Sequence, residues 1–139
     1  MSALATALSL ACQLGFCSCI SPGTLAEAIA DADAVIEVVP SAVRDTALAV
    51  DSSVAGPRNS RYRIYTMLVQ RRWKGVKRDS VQIMTGTGGG DCGYRFEVGV
   101  RYVVFARQGA KYLGTSICSR TKPAAELSKG ELAALGRIP

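Results

Sequence analysis

Histidine is absent from all 139 residues. That removes the Ser-His-Asp and Cys-His nucleophile pairs, His-built metal sites and the one side chain that ordinarily serves as a general base near neutral pH. Two further gaps are local. Residues 1–16 carry no charged side chain, and residues 58–78 carry no acidic one. Charged residues make up only 20% of the chain against 48% hydrophobic, which excludes a disordered polyelectrolyte and fits one folded domain. Repeats, heptads and low-complexity tracts are also missing. Of what is present, the five cysteines are the awkward number, because a disulfide framework uses them in pairs.

The uncharged start has the apolar run of an export-signal core in Ala3-Leu4-Ala5-Thr6-Ala7-Leu8-Ser9-Leu10-Ala11, too short to span a membrane. Small residues at Ser9 and Ala11 suit cleavage before Cys12, and a second candidate cut lies before Cys17. Lipidation at either cysteine fits less well, since Ser9 stands where Leu is wanted before Cys12 and Phe16 is too large directly before Cys17. Residues 1–16 are therefore expected to be a signal peptide and 17–139 the domain. The protein is expected to be secreted, to an extracellular or periplasmic location.

The rest of the sequence alternates strands with a helix near each end. Thr24 and Glu27 form a capping box behind Pro22, predicting a short helix to about Ala30. The β-branched run 34–39 predicts a strand that stops at Pro40, followed by a long exposed connection over 42–60. The longest strand candidate covers 61–73 and has apolar residues of both parities, so it is either covered on both faces or bulged. Residues 81–84 predict a short strand, 85–90 a glycine-rich loop, and 101–106 with 111–114 a hairpin turning at Gln108-Gly109. Ser128 with Glu131 predicts a second capped helix, with Leu127 and Leu132 as its staple and Gly136 at C′. The sum is a mainly β protein, a five-stranded barrel of the oligonucleotide/oligosaccharide-binding (OB) type with short flanking helices.

Cys17-Ser18-Cys19 is the most informative motif. Such a pair can ligate a metal, but Cys92 and Cys118 stand alone and no histidine helps, so a zinc site would need four scattered thiolates; exported chains form disulfides instead. Together, Cys17-Ser18-Cys19-Ile20-Ser21-Pro22, Ala28, Ala32-Asp33-Ala34-Val35, Trp73-Lys74-Gly75, Cys92-Gly93 and Cys118 resemble, in order and spacing, the N-terminal domain of the tissue inhibitors of metalloproteinases, within the netrin-like superfamily. The resemblance implies two disulfides, Cys17–Cys92 and Cys19–Cys118, closing loops of 75 and 99 positions, with Cys12 left over. The third disulfide of the animal domain and its cysteine-rich C-terminal domain have no counterpart here. That points to a minimal, single-domain, bacterial relative.

The resemblance also implies a mechanism. With Cys17 as the mature N-terminus, its free amine and carbonyl oxygen would chelate the catalytic zinc of a metalloproteinase at the position water ordinarily holds. Ser18 would enter the pocket beside the zinc, Cys19, Ile20 and Ser21 would lie along the cleft, and Gly90 and Asp91 would complete the ridge. If residues before Cys17 are retained, its nitrogen is an amide and chelation is lost.

The acid-free segment contains Arg58, Arg61, Arg63, Arg71, Arg72, Lys74, Lys77 and Arg78, eight of the 17 basic residues, interleaved with Tyr62, Tyr65 and Trp73. It accounts for the whole positive excess in the net charge of +6, because elsewhere acids outnumber bases. A solvated strand with Trp73 in the core explains it. A binding role would suit sulfated polysaccharide or an anionic cell surface, which makes an adhesion or polyanion-binding module the second expectation. Single-stranded nucleic acid is the third polyanion, and an export signal argues against it. Glu27, Asp31, Asp33 and Glu37 form a local acidic cluster without enzymatic spacing, explained by solvation of a helix surface. The sequence thus predicts no enzyme, no cofactor and no metal of its own.

Overall fold

The computed structural model describes residues 17–20, 23–52, 56–88 and 90–139, with side chains described outside 48–59. The signal-peptide expectation, Cys12, Ser21 and Pro22 fall outside these residues. The elements are α1 (Leu25–Asp31), β1 (Ala34–Ser52), β2 (Gly56–Lys74), β3 (Ser80–Gly86), β4 (Tyr102–Gln108), β5 (Leu113–Gly114), β6 (Lys122–Pro123), a 3-10 turn (Ala124–Glu126) and α2 (Lys129–Gly136). Among the described residues no helix is long and apolar enough to cross a membrane.

Five strands form a closed hydrogen-bonded ring in the order β1-β2-β3-β5-β4 and back to β1, while β6 adds to the outer side of β4. Every ring pairing is antiparallel except β3 with β5. The expected mainly β architecture of five strands, short flanking helices and two disulfides is what the chain adopts. The expected hairpin is there too, pairing Arg107 with Gly114 and Gln108 with Leu113.

Strand alternation divides the core in two. Ala34, Ile36 and Val38 of β1 and Tyr102, Val104 and Ala106 of β4 meet Tyr65, Met67, Ile83 and Phe96 in the larger cluster. Val35, Val103 and Phe105, of opposite parity, pack with Ala32 and Leu135 beneath the helices. This explains why residues 102–106 are buried without interruption: both faces of β4 are covered. Burying an aliphatic side chain such as Ile36 or Val104 contributes about 1.5–3 kcal/mol. Segment 92–99 is irregular yet supplies Tyr94 and Phe96, whose rings lie 4.5 Å apart and close on Tyr65 and Tyr102.

Three expectations are corrected. The first strand does not stop at Pro40, and the supposed connection over 42–60 is the greater part of a 19-residue strand pairing with β2. Pro40 is tolerated because β4 pairs β1 only as far as Val38, so the missing N–H has no partner to lose. Its fully buried ring packs inward, its carbonyl accepts from Gly99 N at 2.9 Å, and a bulge at Ser41 absorbs the irregularity. The mixed parity of β2 has a related cause, since its register against β1 skips Gln70 and Trp73.

Secondly, Gly136 is the last helical residue rather than a left-handed C′, and Arg137 caps the helix with φ −89°. Its companion Leu132 is 43% exposed, and Leu135 is the residue that anchors α2. Both capping boxes form as expected, with Thr24 accepting from Glu27 N at 3.2 Å and Ser128 from Glu131 N at 3.0 Å. Lastly, the acidic cluster is dispersed. Asp33 accepts from Gln108 N at 2.7 Å, while Glu37 lies on β1 between Arg101 at 3.4 Å and Arg71 at 4.0 Å.

Candidate functional site

The two disulfides join Cys17 to Cys92 and Cys19 to Cys118, with Cα–Cα distances of 5.1 and 5.3 Å. They lie against each other: the Cys118 sulfur is 3.8 Å from that of Cys92 and 3.9 Å from that of Cys17. Sulfurs scattered along the sequence are therefore gathered at one place. Bonded to each other they present no thiolate, so the gathered set is a covalent clamp rather than a ligand set. The clamp holds an extended segment, 17–20, in which Cys17 is half-buried while Ser18, Cys19 and Ile20 are exposed. Ile20 is 92% exposed, more than any other large hydrophobic residue described.

Gly90 and Asp91 precede Cys92, which the first disulfide ties to Cys17, and are also exposed. The Asp91 side chain is turned on its own loop. Its carboxylate accepts from Thr87 N at 2.8 Å, Gly88 N at 2.9 Å and Gly93 N at 3.0 Å. Partial burial alone would raise its pKa, but these backbone donors outweigh it and hold the carboxyl below the ordinary 3.8. Asp91 thus organises its own loop. Cys92 follows with φ +59°, the left-handed region that residues with a Cβ rarely adopt. Gly93 cannot carry a side chain, because a Cβ there would stand 2.3 Å from the Gly86 carbonyl oxygen.

Sequence reasoning did not single out Ile117, which the fold ties to the disulfide cluster. Ile117 N donates to Cys92 O at 2.9 Å, and the Ile117 side chain is half exposed next to Cys118. Beneath it, the Thr115, Ser119 and Thr121 hydroxyls bond to one another at 2.7–2.9 Å. Thr115 donates to Phe105 O at 2.9 Å, and Phe105 N donates to Thr121 Oγ1 at 3.1 Å, so the loop is riveted to β4. Arg120 donates to Gly23 O at 2.6 Å, fixing the chain between the ridge and α1. The hydroxyl-rich run around Cys118 was the available signal. A cavity of about 620 Å³ lies behind, lined in part by Asp91, Phe105, Tyr112, Cys118 and Arg120. The hydroxyl network beside it contains no titratable base among its partners.

Several of the basic residues are engaged by partners within the fold. Arg63 pairs with Asp45 at 3.5 Å, and Arg72 with Asp79 at 2.5 Å. Arg71 reaches Glu37 and lies 5.6 Å over the half-buried ring of Trp73. Lys74 donates to the Ile29 and Ala30 carbonyls at 2.9 and 3.2 Å, at the negative end of α1. Arg61, Lys77 and Arg78 have no ion-pair partner among the described residues. No protein-family model and no curated protein matches this chain.

Proposed function

We propose that this protein is a secreted, non-catalytic netrin-like domain, resembling the N-terminal domain of tissue inhibitors of metalloproteinases, that binds and inhibits a zinc metalloproteinase through the 17–20 edge. The observation that carries the reading is the paired clamp: two adjacent disulfides hold an irregular segment that runs from the half-buried Cys17 to the bare Ile20. An edge ordered before docking loses little conformational freedom on binding. In this reading export removes residues 1–16, in the periplasm or outside the cell. Cys17 then offers an amine and a carbonyl oxygen to the protease zinc, Ser18 enters the adjoining pocket, and Cys19, Ile20 and Ser21 follow the cleft. Gly90 and Asp91 flank them.

The amine must be neutral to donate its lone pair. With an α-amino pKa of about 7.7–8.0, inhibition should weaken as pH falls below that range and the amine protonates. The deciding experiment compares a chain beginning at Cys17 with one retaining Phe16, assayed against zinc proteases across pH. Strong inhibition by the first and its loss in the second is the expected result. Equal inhibition by both would discard chelation, and absence of inhibition by either would discard the function.

A further inference from the structure

A second concavity, of about 600 Å³, opens on another part of the ring, and no disulfide residue lines it. Its wall draws on two turns far apart in sequence. Lys77 and Arg78 come from the β2–β3 turn, and Lys111 comes from the β4–β5 turn. All three are exposed, and none has an ion-pair partner among the described residues. Asp33 is the one acid in the lining; its carboxylate accepts from the Gln108 amide at 2.7 Å, which fixes its position and leaves its charge in place. Gln82 and Tyr112 add hydrogen-bonding groups and an aromatic face. Most other cations of the basic segment are engaged by a carboxylate or by helix carbonyls, whereas Lys77 and Arg78 have no ion-pair partner among the described residues and Lys111 lies 5.4 Å over the Tyr112 ring, which leaves its charge available.

We infer that this concavity is a binding site for a sugar-sized ligand bearing two or more oxyanion esters, sulfate or phosphate. Three cations against one carboxylate leave the wall with a net positive charge of two, a potential that a concave wall concentrates. A singly charged ligand would leave one of these two net charges uncompensated, so the fit is to a ligand with two or more negative charges. The volume lies within the range of small-molecule sites, about 300–1,000 Å³. No disulfide residue and none of Arg61, Arg71 and Arg72 lines the site, although Arg72 donates to the Arg78 carbonyl at 3.0 Å, so it differs from a general attraction along the β2 strand.

The test is calorimetric titration of the full chain at low ionic strength with sucrose octasulfate and, separately, myo-inositol hexakisphosphate. One probe should bind per chain. Lys111→Glu and the pair Lys77→Glu/Arg78→Glu should each weaken it about tenfold or more, and Arg61→Glu less than about twofold, since only the former face the ligand. Should Lys111→Glu fail to fold, Lys111→Gln carries the same comparison. Preference for one probe identifies the ester, and equal binding means charge alone is recognised. No binding of either probe, or an equal loss from Arg61→Glu, would overturn the inference.

Discussion

Gly75 and Asp91 show how much single positions of this chain are asked to do. Gly75 sits at φ +78°, and a Cβ would stand 2.4 Å from the Asp33 carbonyl oxygen, so backbone conformation and space both demand glycine. Gly75→Ala should destabilise by at least about 1–2 kcal/mol, the cost of the left-handed conformation alone, measured as a lower denaturation midpoint at unchanged slope. Asp91→Ala removes the acceptor for three backbone amides and should cost about 1–2 kcal/mol. Because the Asp91 carboxyl is held below its ordinary 3.8, its contribution is present above that pH and lost as pH falls through the lower folded value. Asp91→Asn should therefore flatten the acid limb of a stability–pH curve below about pH 4. At this scale the sequence was legible where a motif singled a residue out, as with the cysteines and Trp73-Lys74-Gly75. It was silent where a role depends on what lies across space: nothing near Ile117 or Arg120 in the chain announces the Cys92 carbonyl or the Gly23 carbonyl they bond.

Among the elements, the helices were the most readable, since a capping box is a local contract between residues three apart. Ser128→Ala should cost about 1 kcal/mol, and Leu135→Ala, at the buried anchor of the same helix, about 2–5 kcal/mol, both by chemical denaturation. Strand β1 was the least readable. Proline normally ends a central strand, and only the knowledge that β4 stops at Val38 explains why this one does not. The same extension produces an arm. Pairing of β2 with β3 ends at Tyr62, so the register from Ala47 opposite Arg61 to Ser52 opposite Gly56 is a two-stranded ribbon whose edges pair with no other strand among the described residues. Ribbons of two strands are marginal alone. Amides of residues 47–52 should exchange with solvent orders of magnitude faster than those of 65–69, as read by hydrogen-exchange mass spectrometry or NMR.

For the whole molecule, the sequence conveyed architecture better than boundaries: five strands, glycine turns and terminal helices already implied a closed β structure. Closure itself depends on the short β5, whose two residues bridge β3 to β4 and offer almost no periodicity to detect. The two disulfides, with separations of 75 and 99, should each stabilise by about 4–5 kcal/mol on the chain-entropy account. A Cys19→Ser/Cys118→Ser chain should melt well below the parent, and a reductant should lower the parent's melting temperature while leaving a chain without either disulfide unchanged.

The ring also sets an order of events during synthesis. The β1–β2 pairing is available as soon as residue 74 has been made, but β1 cannot meet its other neighbour until Tyr102–Gln108 exists, with Ala34 opposite Ala106. For the intervening stretch of translation, the strand that carries Ile36 and Val38 has one edge unpaired and an apolar face uncovered, the state in which chains are most vulnerable to sticking to one another. Closure then comes late and over long sequence separations, which places this protein among the slow folders, on a millisecond-to-second scale despite its small size.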